Sequence, residues 1–152
     1  MEMQKNGLPD FLKHKYLELR EPIRQRLDEF SSVPEEDYFY ELCFCVCTPQ
    51  SRAKNAMEVE KILRKEDYLN KPFDTTKILR DPKHYIRFHN QKAKRLKDVR
   101  EQFPDISKTL RSKRSPVEKR DWFVENVNGF GMKESSHFLR NIGYKDLAIL
   151  DR

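Results

Sequence analysis

The stretch Gly129-Phe130-Gly131-Met132-Lys133 places two glycines and a lysine where they could act together on an anion. Helix-forming runs flank it at 117–127 and 132–142, so the spacing predicts a tight hairpin of two helices with its turn at 127–133. Glycine lets such a turn pass close to another molecule. The first N–H groups of the second helix have no partner inside it, and the positive end of the helix dipole lies behind them, an arrangement suited to phosphate. Lys133 falls in the first turn of that helix, where a cation works against the dipole. The choice is odd for stability alone and makes Lys133 a candidate for chemistry; the alternative is an ordinary exposed helix lysine.

Holding that turn in place requires a framework, and its pattern is helical throughout. The eight prolines, at 9, 22, 34, 49, 72, 82, 104 and 116, fall between amphipathic runs, as expected where each starts or ends a helix. No alternation of period two extends beyond a few residues, so residues 1–152 are read as one all-α domain. Residues 8–29 give one or two helices, Pro22 opening the second. Tyr38 to Cys47 is apolar almost all round, the mark of a central buried helix. Further helices follow at 51–64, at 75–79 behind an Asp74 or Thr75 cap, and at 91–103. The last is basic, carrying Lys92, Lys94, Arg95, Lys97 and Arg100, and is either a nucleic-acid surface or simply a wet face. Residues 108–114 are a polar, basic segment, and 112–116 read as an exposed connection. Ser115, Pro116 and Glu118 then form an N-cap, N1 and N3 set for the first arm of the hairpin.

With 31 Lys and Arg against 25 Asp and Glu, the chain carries +6 and favours an anionic partner, although a solvated basic surface gives the same count. No apolar run approaches the length of a membrane span, and the amino terminus has no signal-peptide core. The expectation is a monomer in the cytoplasm, at the nucleoid. Cys43, Cys45 and Cys47 divide between faces of a helix; they match neither a closed zinc site nor a disulfide framework and read as buried, reduced thiols. His14, His84, His89 and His137 show no metal-ligand spacing. His137, one turn after Lys133, could face the same site, but a packed or solvated histidine is the ordinary reading.

The apolar run Leu147-Ala148-Ile149-Leu150 ends in Asp151, eighteen positions after Lys133. Together with residues 129–143 and with Glu41-Leu42-Cys43-Phe44-Cys45, it makes the sequence resemble the helix-hairpin-helix DNA glycosylases. The likeness runs from about Tyr40 to the end and is greatest to the type 2 8-oxoguanine DNA glycosylase/lyases. It implies that Lys133 attacks the sugar as the base leaves, forming a Schiff base whose β-elimination breaks the strand. A lysine of ordinary pKa, about 10.4, is neutral in roughly one molecule in a few thousand at pH 7, so such a site must favour the free amine. Asp151 is implied to stabilise positive charge on the sugar; its other reading, a helix N-cap, is compatible with that role.

The same resemblance places Gln50 in the hole left by the extruded base, and Phe88, within 86–93, as the wedge opposite it. The alternatives are a helix-cap region for Gln50 and core packing for Phe88. Arg52, Lys92, Gly129, Phe130 and Gly131 join them as DNA-binding candidates. The carbonyls of Val127 and Phe130 are implied to hold a monovalent cation, Na+ or K+. The implied partner is double-stranded DNA containing oxidised guanine. Competing readings are an oxidised-pyrimidine glycosylase of the endonuclease III type and a non-catalytic helix-hairpin-helix DNA-binding module, which has no use for Lys133 or Asp151. The family continues with another helical segment after its Asp, so the sequence is expected to be a fragment.

Overall fold

The computed structural model describes residues 7–149. Among them the α-helices are α1 (Asp10–Ser31), α2 (Tyr38–Cys47), α3 (Ala53–Lys65), α4 (Thr76–Arg80), α5 (His89–Arg111), α6 (Pro116–Asn126) and α7 (Met132–Asn141), with 3-10 turns at Glu35–Asp37 and Pro82–His84. The described residues contain no strand. Helix α2 is the axis of the fold, because a helix apolar almost all round must be covered on most of its sides. Helices α3, α5 and α7 pack against it, burying Phe39, Leu42, Cys43 and Cys47 completely. All three cysteines are buried free thiols. Burial raises the pKa of each and pushes Cys47 up to about 12, so none supplies a thiolate at neutral pH.

Two prolines do not end helices. Helix α1 runs unbroken through Pro22, as the one-helix alternative has it, and α5 runs through Pro104, where a break was expected. In α5 the reason is packing. Leu96, Val99 and Ile106 are fully buried, with Phe103 and Leu110 packed against the same core, so one apolar stripe spans the proline. That stripe offsets the roughly 3 kcal/mol that a proline costs inside a helix. The polar segment 108–111 is accordingly the last turn of α5. In α1 no residue is buried. Leu19 and Ile23 of that helix are 42% and 47% exposed.

Helices α6 and α7 are tied to this frame at several points. Ser115 caps α6 as expected, its Oγ accepting from the Glu118 N–H at 3.2 Å, with Pro116 first in the helix. Lys119 on α6 is buried; its Nζ donates to the Leu110 carbonyl and to the Tyr144 hydroxyl, both at 2.8 Å. Helix α7 stops at Gly143, which has φ +108°, while the Tyr144 N–H returns to the Leu139 carbonyl at 3.0 Å. A methyl at position 143 would lie 3.0 Å from the Ser31 Cα. The glycine therefore lets α7 finish directly against the end of α1.

Candidate active site and nucleic-acid interface

The hairpin forms where the sequence places it, with residues 127–131 turning between α6 and α7. Phe130 is 4% exposed, packed on Phe123 at 6.0 Å between ring centroids, and Val127 is buried beside it. The expected DNA-binding role of Phe130 is thus confined to its main chain, since its side chain anchors the turn in the core. Gln102 of α5 fixes the other arm by donating to the Asn126 carbonyl at 2.9 Å.

The two glycines differ. Gly129 has φ +85°, and an added Cβ would come within 2.5 Å of the Arg95 Nε, so the arginine lies across the turn. Gly131 has an ordinary φ of −83°, and its N–H donates to the Glu134 carboxylate at 3.1 Å. A phosphate at this donor would have to displace that carboxylate. Gly129→Ala should therefore be the more damaging change. It is expected to cost roughly 1–2 kcal/mol of stability from the left-handed backbone and to weaken binding to damaged and undamaged duplexes alike, because Arg95 must move. Thermal melting and fluorescence anisotropy on both duplexes check this, with Gly131→Ala as the milder comparison.

Lys133 is half-buried in the first turn of α7. One turn on, His137 sits edge-to-face on Phe44 of α2, with 6.0 Å between ring centroids. Burial, followed by the nearby Arg140 and Lys133 cations, pushes the His137 pKa from 6.5 down to about 4. The imidazole is therefore neutral at physiological pH and adds no positive charge beside Lys133. The unfolded chain takes up this proton near pH 6.5 and the folded chain only near 4, so His137 lowers stability as pH falls through that window. The His137 ring signals should stay at their neutral positions in an NMR titration down to pH 5, and His137→Phe should remove this part of the pH dependence of melting. Asp151 lies outside the described residues.

Two loops at the far end of α2 and at the start of α5 hold the other candidates. Gln50, with φ +54°, and Phe88, with φ +59°, are both in the left-handed region that non-glycine residues seldom adopt. Phe88 is 48% exposed, which removes the core-packing alternative, and the Arg87 guanidinium lies 5.0 Å from its ring centroid. Gln50 and Arg52 are exposed, and with Tyr85 and Arg87 they line one groove of about 370 Å³ between the loops.

Lys92 needs correction. It is 2% exposed, and its Nζ donates to the Cys47 carbonyl at 3.1 Å, to the Pro49 carbonyl and to the Ser51 Oγ at 3.3 Å. It cannot reach a phosphate while it makes those bonds. The basic helix as a whole divides in the same way. Arg100 donates to the Tyr68 and Leu69 carbonyls at 3.1 and 3.0 Å, and Lys97 approaches Glu101 at 4.0 Å. Lys94 and Arg95 instead share a groove of about 470 Å³ with Gln91 and Asn128 of the hairpin turn. Arg95 is the residue that sequence reasoning passed over: nothing local distinguishes it from its basic neighbours until the hairpin is seen to cross α5 there.

Described residues that are all-helical, with a Gly-x-Gly hairpin opening a helix that carries an early lysine and with separate loops bearing Gln50 and Phe88, have the helix-hairpin-helix DNA glycosylase fold. The sequence pattern of the Ogg-HhH family, 8-oxoguanine DNA glycosylase, matches residues 23–152. The chain is 37% identical to the 8-oxoguanine DNA glycosylase/AP lyase of Fusobacterium nucleatum, across 99% of its own length and 73% of that protein's. It is also similar to the crystal structure of the Methanocaldococcus jannaschii 8-oxoguanine DNA glycosylase, with a TM-score of 0.78 and 32% identity over 93% of this chain and 69% of that one. The glycosylase/lyase of the same organism in complex with a 15mer DNA containing 8-oxoguanine gives a TM-score of 0.76 at 29% identity, over 93% of this chain and 71% of that one. This protein belongs to the Ogg-HhH family of 8-oxoguanine DNA glycosylases.

Proposed function

We propose that this protein removes 8-oxoguanine from double-stranded DNA and then cleaves the strand at the abasic site. The Lys133 amine attacks C1′ of the sugar as the damaged base departs with the glycosidic electron pair. The resulting imine with the opened sugar makes the C2′ proton acidic, and its loss expels the 3′-phosphate by β-elimination. Asp151 stabilises positive charge on the sugar while the base leaves. Gln50 fills the vacated place in the duplex and Phe88 wedges the adjacent step. The observation that carries this reading is the position of Lys133, half-buried in the first turn of α7 directly after the hairpin turn. A purely DNA-binding module has no need of an amine there.

Backbone donors of the turn, with Lys94 and Arg95 beside it, serve as the phosphate contacts in this proposal. A monovalent cation, Na+ or K+, fits the carbonyls of Val127 and Phe130: the Val127 oxygen accepts one hydrogen bond, from the Phe130 N–H at 3.1 Å, and keeps a second lone pair. Such an ion would add positive charge where phosphate is held. The protein acts as a monomer in the cytoplasm, at the nucleoid; no helix among the described residues is long and apolar enough to cross a membrane.

The test is a set of matched duplexes containing 8-oxoguanine, an oxidised pyrimidine or no lesion. Incision of the first alone is expected, with affinity for all three falling steeply between roughly 50 and 200 mM salt as phosphate contacts are screened. Preference for the oxidised pyrimidine would favour an enzyme of the endonuclease III type. Salt-sensitive binding with no incision of any duplex would favour the DNA-binding module.

A further inference from the structure

Gln50 and Phe88 belong to different loops, yet both are held in the same uncommon backbone conformation. Left-handed residues of this kind cost of order 1 kcal/mol or more each, and persist only where their surroundings over-determine them. The surroundings here converge on one side chain. The Lys92 Nζ binds the carbonyls of Cys47 and Pro49 and the Ser51 Oγ, which bracket Gln50 on both sides. The Lys92 main-chain N–H donates to the Phe88 carbonyl at 3.0 Å. Ser51 closes the circuit, since its Oγ also accepts from the Arg87 N–H at 2.9 Å, immediately before Phe88. A further strut joins the loops farther out, where the Asn55 Nδ2 donates to the Tyr85 carbonyl at 3.0 Å.

We infer that Lys92 is a positioning residue that locks the Gln50 and Phe88 loops into one rigid two-pronged unit, so that void filling and wedging occur as a single insertion into the duplex. A buried ammonium is costly unless its donors are satisfied. Lys92 meets that requirement by donating to three oxygens, one at the end of α2 and two in the Gln50 loop. Two separately mobile loops would each lose conformational freedom on entering the duplex, whereas a pre-formed pair has already lost it. Ser51 is the second member of the lock, with both lone pairs of its hydroxyl used, one by the Lys92 Nζ and one by the Arg87 N–H of the Phe88 loop.

The inference rests on the proposed roles of Gln50 and Phe88, and the experiment separates the two. Excision of 8-oxoguanine from a duplex requires insertion; cleavage of a single-stranded oligonucleotide already carrying an abasic site requires the Lys133 chemistry without it. The ratio of these two rates cancels any loss of folded protein, which lowers both equally. In Lys92→Met, which keeps most of the side-chain volume but removes the ammonium, the ratio is expected to fall about tenfold or more, as misplacement of positioned groups does. Ser51→Ala is expected to lower it in the same direction and stands in should Lys92→Met fail to fold. Lys92→Met introduced into the Gln50→Ala, Phe88→Ala double variant should change the ratio little further, because the lock then has nothing to position. Parallel loss of both activities, with an unchanged ratio in Lys92→Met and Ser51→Ala, would overturn the lock and leave Lys92 as a stability element only. An unchanged ratio in the Gln50→Ala, Phe88→Ala protein would overturn the two-pronged reading itself, and the lock with it.

Discussion

Lys133→Gln is expected to bind an 8-oxoguanine duplex almost as tightly as the unaltered protein and to cleave it on the order of 10⁴-fold more slowly or worse, as when a covalent nucleophile is removed. Glutamine is close to lysine in length and helix preference, so α7 should keep its first turn. Removing a cation from that turn relieves an unfavourable interaction with the helix dipole, worth a few tenths of a kcal/mol. Arg95, lying across Gly129, is untouched by the change. The amide nitrogen, by contrast, has no basic lone pair and cannot form an imine. Single-turnover cleavage beside equilibrium binding separates the two effects. A Lys133→Gln protein that cleaves at the original rate would remove this residue from the chemistry.

Asp151→Asn is expected to slow base excision by about 10²–10³-fold, the usual consequence of removing one preorganised electrostatic partner from a developing charge. As the base departs with its electron pair, the sugar becomes positively charged, and a neutral amide cannot stabilise it as a carboxylate does. The change keeps shape and capping ability, so a helix-capping role for Asp151 would leave excision nearly intact. Strand cleavage at a pre-formed abasic site bypasses departure of the base and should suffer less than excision. Equal losses in the two assays would argue instead that Asp151 acts on the imine chemistry or on the fold.

The sequence was most readable where one local rule decides the outcome. Ser115, Pro116 and Glu118 begin a helix because capping is settled within four residues, and α2 is central because Tyr38–Cys47 is apolar almost all round, Glu41 excepted. The hairpin followed from glycine spacing. What stayed hidden depends on partners distant along the chain. Pro104 was read as a stop, whereas Ile106 beyond it continues the stripe of Leu96 and Val99 against the core. Lys92 looks like one more cation on a basic helix, and only the packing of residues 47–51 onto α5 gives its ammonium three oxygens to bind. Arg95 and Arg100 are similar in sequence context. One lies over Gly129 and the other is spent on the carbonyls of Tyr68 and Leu69. Composition gives the number of charges, and tertiary structure decides which of them face a ligand.

The most direct measurement is to trap the covalent intermediate and find where it sits. The protein would be incubated with an 8-oxoguanine duplex and borohydride, which reduces a transient imine to a stable amine; the adduct would then be digested and its peptides sequenced by mass spectrometry. The expected result is a DNA remnant attached at Lys133, dependent on the lesion. A remnant on the amino terminus or on another lysine, or no adduct under conditions where the strand is cut, would contradict the account.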